Sequence, residues 1–158
     1  MSDETSSKLT ADEIEYAKIL SNPVDFAEFF LGWKARWYQR LMLLHPSKRK
    51  VVRAGRRTGK SDAAAVLAIW YAFTHANSRV IVATPMEAQV SEFFERMRQL
   101  IRNSPEIMSD LEIDRRHPQT IAFRNGSQIK GFTSGTKSGS EGMRSEEHTS
   151  ELQSLRHL

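Results

Sequence analysis

The nine residues Arg53-Ala54-Gly55-Arg56-Arg57-Thr58-Gly59-Lys60-Ser61 restrict the fold of this chain more than any other stretch. They end in Gly-Lys-Ser and carry the pattern of a phosphate-binding loop, with Ala54 where the first Gly usually stands. In such a loop the backbone amides and a helix N-terminus form a concavity for an anion. A lysine, here Lys60, reaches the β and γ phosphates, and a hydroxyl, here Ser61, takes one Mg²⁺ position. This chemistry requires the order strand, loop, helix. Lys50 to Ala54, with the β-branched pair Val51-Val52, reads as a short buried strand, and the run from Ser61 onward, rich in Ala, Val, Leu and Ile, reads as a helix.

The remaining chain extends the α/β reading. Thr10 with Glu13 is a capping-box signature opening a helix to about Leu20, and Pro23 opens a second helix that ends near Gly32. A third helix is expected from about Ala35 to Leu44, closed by His45-Pro46. Beyond the loop and its helix, Arg79-Val80-Ile81-Val82-Ala83 is a near-continuous apolar run of the kind a parallel strand buried on both faces shows. Thr84-Pro85 ends it, and a long helix follows from Met86 to about Arg102. Thr120 to Arg124 and Ser127 to Phe132 alternate in polarity around Asn125-Gly126, which predicts a β-hairpin. Residues 131–142 are rich in Gly and Ser and read as a mobile loop.

Composition excludes several classes. The 158 residues allow one domain and include no cysteine, so neither a disulfide framework nor a thiolate metal site is available. No apolar run approaches a membrane span, and the acidic start Met1-Ser2-Asp3-Glu4 is unlike a signal peptide. A cytoplasmic protein without membrane contact is expected. Charge is uneven: the net value is +4, yet from Trp33 to Lys60 there are ten Lys or Arg and no Asp or Glu, interleaved with Trp33, Trp37 and Tyr38. Such a cluster suits polyphosphate or a nucleic-acid backbone, or alternatively a solvated helix face.

Arg144 to Ser154 reads, residue for residue, as the translation of a common short-read sequencing adaptor, with residues 155–157 covering its variable index and Leu158 resuming the fixed sequence. A natural polar tail is the alternative. The segment is set aside from the fold argument as a non-native scar would be. The expected organisation is an N-terminal helical segment over 1–22, an ATPase-like domain over 23–143, and a non-native tail over 144–158, with the natural gene continuing past Met143.

The order of motifs resembles the N-terminal ATPase domain of the large terminase subunit, the DNA-packaging motor of tailed bacteriophages. The resemblance covers most of residues 24–143. It rests on Trp37-Tyr38-Gln39, on Arg53 to Ser61, on Val80 to Gln89, and on the Asn-Gly hairpin leading to Gly142-Met143-Arg144. It implies a partial P-loop NTPase fold: a mostly parallel sheet with flanking helices, a β-hairpin and N-terminal helices. ATP and Mg²⁺ are the implied cofactors. Nucleotide contacts fall on Gln39, Ala54, Gly55, Arg56, Arg57, Thr58, Gly59, Lys60 and Ser61. Gln39 falls where the family reads the adenine amide edge, Arg56 where it stabilises the γ phosphate, so Lys60 and Arg56 are the catalytic candidates. Implied partners are double-stranded DNA, a portal, a small terminase subunit and further copies in a ring, in a host cytoplasm and encoded by a virus or prophage.

Two departures qualify the resemblance. Ala54 replaces the leading Gly. No strand ending in Asp-Glu follows the loop, and Glu146-Glu147 does not substitute, because no apolar strand precedes it. Nor is the family's nuclease domain present. A chain of this kind is expected to bind nucleotide poorly, to hydrolyse it hardly at all, and to expose an apolar edge near Val51-Val52 and Val80-Ile81-Val82. Two other readings stay open: a superfamily 2 helicase or translocase, and a non-catalytic basic module that only holds phosphate or nucleic acid.

Overall fold

A computed structural model of the chain describes residues 10–134. Of the span 131–142 expected as a loop, Gly131 to Thr133 belong to the last strand instead, and residues 135–142, Gly142-Met143-Arg144, Glu146-Glu147 and the 144–158 tail lie outside the described residues. Three short helices come first: α1 (Ala11–Ser21), α2 (Pro23–Phe30) and α3 (Trp37–Leu44). The capping box opens α1, with the Glu13 amide donating to Thr10 Oγ1 at 3.3 Å and the Thr10 amide to Glu13 Oε2 at 2.7 Å. Asn22 caps α2, whose first residue is Pro23.

Helix α4 (Lys60–Thr74) follows the loop, then strand β1 (Arg79–Thr84), α5 (Glu87–Arg102), the short α6 (Pro105–Ser109), and strands β2 (Leu111–Arg116), β3 (Gln119–Phe123) and β4 (Gln128–Thr133). The sheet order is β1-β4-β3-β2. Strand β1 runs parallel to β4, with Val80 opposite Ile129, whereas β3 is antiparallel to both β4 and β2. Helices α4 and α5 pack on each other and on the sheet. Between them the core gathers Phe26, Ile69, Phe94, Met97, Phe123 and Ile129, all fully buried. Small residues set the close approaches: α4 buries Ala63, Ala65, Ala68 and Ala72. A Cβ on Gly131 of β4 would meet Val90 Cγ1 at 2.4 Å, so α5 lies directly on that strand.

The α/β layout with flanking helices and a hairpin is therefore as the sequence predicts, with three corrections. Residues 50–54 form neither helix nor strand; Val51 is fully exposed and Val52 is 44% exposed. A strand exists only within a ladder, and these residues pair with none of the described strands. The sheet is mixed rather than mostly parallel, because β1 with β4 is its one parallel pairing among the described residues. Finally, β1 is not buried on both faces. Its residues alternate between exposed and half-buried, with Ile81 59% exposed, because the face that carries Arg79, Ile81 and Ala83 is left uncovered; its outer edge is also unpaired among the described residues. The expected apolar edge is thus present at Val51, Val52 and Ile81, while Val80 and Val82 are half-buried.

The hairpin turns through Arg124, Asn125 and Gly126, with the Gly126 amide donating to the Phe123 carbonyl and Gly126 at φ 82°. That is a three-residue connection, not the two-residue Asn-Gly turn. Asn125 Nδ2 donates to the Ala72 and Phe73 carbonyls, both at 2.9 Å, so the hairpin tip closes the C-terminal end of α4.

Candidate phosphate-binding site

The loop before α4 makes a turn at Arg56 and Arg57, and its shape is set by two left-handed residues: Arg57 at φ 59° and Gly59 at φ 73°. Ala54 is not among the residues with positive φ, which explains why alanine is accommodated in the leading glycine's place. Thr58 Oγ1 donates to the Gly55 carbonyl at 3.0 Å and Lys60 Nζ to the same oxygen at 3.2 Å, folding the loop back on itself. Gly59 is the N-cap of α4 and offers no side chain, so the first-turn amides of the helix are left without a side-chain cap.

An open cleft of about 540 Å³ lies at this junction. Arg57, Thr58, Gly59, Lys60, Ser61 and Gln39 all line it, as the sequence predicts, whereas Ala54, Gly55 and Arg56 sit on the exposed approach outside its wall. The cleft is strongly basic: Lys34, Arg36, Arg57, Lys60 and Arg96 face Asp62 and Glu92 alone. Arg96 is engaged by both acids, bonding Asp62 through NH1 and Glu92 through NH2 at 3.2 Å. The hydrogen bond to Asp62 raises the Arg96 pKa above its ordinary value. The remaining cations give the cleft its positive potential.

Helix α3 reaches the loop from behind. Gln39 is 6% exposed and its amide is fully occupied on one side: Nε2 donates to the Gly59 carbonyl at 3.1 Å and to the Thr58 carbonyl at 3.4 Å. Its Oε1 accepts the Arg36 amide at 2.8 Å. Tyr38 donates its hydroxyl to the Thr58 carbonyl at 2.9 Å. The sequence flagged Trp33, Lys34, Arg36 and Tyr38 only as part of a basic, aromatic run suited to polyphosphate, and missed the Asp62–Arg96–Glu92 group. Glu92 and Arg96 stand four residues apart on α5, and Asp62 directly follows Ser61, so that spacing was the available signal.

The cleft falls within the volume range of nucleotide-sized sites. Ser61 lines it with an exposed hydroxyl, and no group of three His, Asp, Glu or Cys able to hold a metal alone occurs among the described residues. The residues fit a Mg²⁺ that arrives on a polyphosphate, with one protein hydroxyl as ligand.

A glycine-containing loop that opens α4 beside α3 and α5, over a four-stranded sheet, has the layout of a partial P-loop ATPase fold. The fold is that of the ATPase domain of the large terminase of Thermus phage P74-26. The solved structure of that domain superposes with a TM-score of 0.58 at 25% identity, covering 72% of this chain and 51% of that one. An arginine-to-alanine variant of the same domain superposes with a TM-score of 0.60 at 24% identity over the same shares. The chain thus spans about half the length of the solved structures it matches. No protein-family model and no curated protein sequence matches it. Among the described residues no helix is long and apolar enough to cross a membrane.

Proposed function

We propose that this chain is the nucleotide-binding part of a terminase-like motor ATPase, which when complete couples ATP hydrolysis to translocation of double-stranded DNA into a capsid. The observation that carries the reading is the junction of loop and helix: Lys60 and Ser61 open the uncapped end of α4 at a cleft where five cations outnumber two acids, on a fold shared with a terminase ATPase domain. Lys60 would leave the Gly55 carbonyl for the β and γ phosphates, Ser61 would take one Mg²⁺ position, and Arg56, freely exposed, would swing toward the γ phosphate. The exposed basic run through Lys48, Arg49 and Lys50 supports a DNA backbone as the second partner. Portal, small terminase subunit and ring assembly belong to the same proposal. Turnover by this chain alone is expected to be negligible, since no Asp-Glu strand end follows the loop in its sequence.

Calorimetry with Mg-ATP and with pyrophosphate tests the reading. Binding should be measurable at millimolar ligand or below, and Lys60→Ala should weaken it at least tenfold, as loss of a charge-assisted contact requires. Binding that is indifferent to Lys60→Ala would refute the assignment of the cleft.

A further inference from the structure

We propose that Tyr38 and Gln39 are positioning residues, which set the shape of the phosphate loop from α3, and that Gln39 does not read the nucleotide base. The affinity arm of the test rests on the nucleotide-binding reading above; the exchange arm does not.

Two consecutive carbonyls of the loop are held by α3. The Thr58 oxygen receives the Tyr38 hydroxyl at 2.9 Å and Gln39 Nε2 at 3.4 Å, and the Gly59 oxygen receives the same Nε2 at 3.1 Å. The orientation of the Gln39 amide is set by its neighbours, since two carbonyls require the NH₂ and the Arg36 amide requires the oxygen. A peptide unit is planar and trans, so its N–H points opposite to its C=O. Pinning the Thr58 carbonyl toward α3 therefore turns the Gly59 amide the other way, and the Gly59 carbonyl, held by Gln39 together with the Ala63 amide of α4 at 3.1 Å, does the same for the Lys60 amide. Neither amide makes a hydrogen bond among the described residues. These are adjacent donors of the kind a phosphate oxygen bridges at a helix N-terminus.

The same contacts leave Gln39 without the means to read adenine. Base recognition by an amide uses a donor and an acceptor together, and here Nε2 faces the two loop carbonyls while Oε1 accepts the Arg36 amide. The approach is close enough that a Cβ on Gly59 would stand 2.5 Å from Nε2. Tyr38 is only half-buried and lies outside the cleft wall, so its hydroxyl can be removed with little disturbance of the core.

The test compares wild type, Tyr38→Phe and Gln39→Met as full chains. In both variants the affinities for inorganic pyrophosphate, ATP and GTP should fall together, by about three- to tenfold for Tyr38→Phe as expected for one neutral hydrogen bond. Its melting temperature should stay near that of wild type. In the protein without added ligand, amide exchange at Ala63, whose N–H bonds the Gly59 carbonyl at the start of α4, should quicken. A loss confined to ATP, with pyrophosphate unaffected, would mean that the pair touches the base and would overturn the proposal. If wild type binds none of the three ligands, the phosphate-site reading fails separately, and the exchange data decide alone: unchanged exchange in both variants sinks the latch.

Discussion

At the scale of single residues, the loop depends on one glycine more than on its Gly-Lys-Ser signature suggests. Gly59 combines φ 73° with a Cβ position that the Gln39 amide already fills. Gly59→Ala should cost about 1 to 2 kcal/mol of stability from the left-handed backbone. It should also displace Gln39 from the two carbonyls, weakening pyrophosphate binding. Urea denaturation and calorimetry check both; a variant as stable and as tightly binding as wild type would contradict the loop geometry. The place of Lys60 and Ser61 at the start of α4 was legible because the Gly-Lys-Ser spacing sets it. Tyr38 was not, because its part depends on a hydroxyl meeting a backbone oxygen twenty positions away. No local pattern encodes such a meeting.

At the scale of elements, the sequence marked helix ends and the hairpin well, since caps, proline and Asn-Gly act locally. It missed β2, where Leu111–Arg116 alternates weakly and shows only one half-buried residue. What secures β2 is a tertiary contact. Arg98 of α5, 4% exposed, donates from Nε to Asp114 at 2.7 Å and from NH2 to the Arg115 carbonyl at 3.1 Å and Gln119 Oε1 at 2.9 Å. This one guanidinium fastens α5 to two strands. Arg98→Ala should destabilise the domain by roughly 2 to 4 kcal/mol, toward the lower end because Asp114 is exposed enough to be rehydrated. A denaturation midpoint unchanged within error would show the network to be dispensable.

At the scale of the whole molecule, the expected strand at 50–54 failed because strand propensity cannot act without a partner. Val51 and Val52 have the right side chains, but they pair with no described strand, and the outer edge of β1 stays open. That edge should make the chain self-associate. Sedimentation at rising concentration is expected to show association, and Ile81→Lys, a charge on the exposed edge, should suppress it without lowering the melting temperature by more than a few degrees. A wild type that stays monomeric throughout would remove the basis for this expectation. The parallel pairing of β1 with β4 carries one more consequence. Val80 meets Ile129 about fifty residues later, with α5, α6 and two strands between them. Closing a loop of that size costs on the order of 3 to 4 kcal/mol of chain entropy, whereas β3 and β4 meet across a three-residue turn. During refolding the hairpin should therefore form early and β1 should dock late, so the half of the molecule that holds the phosphate loop is the last to be assembled.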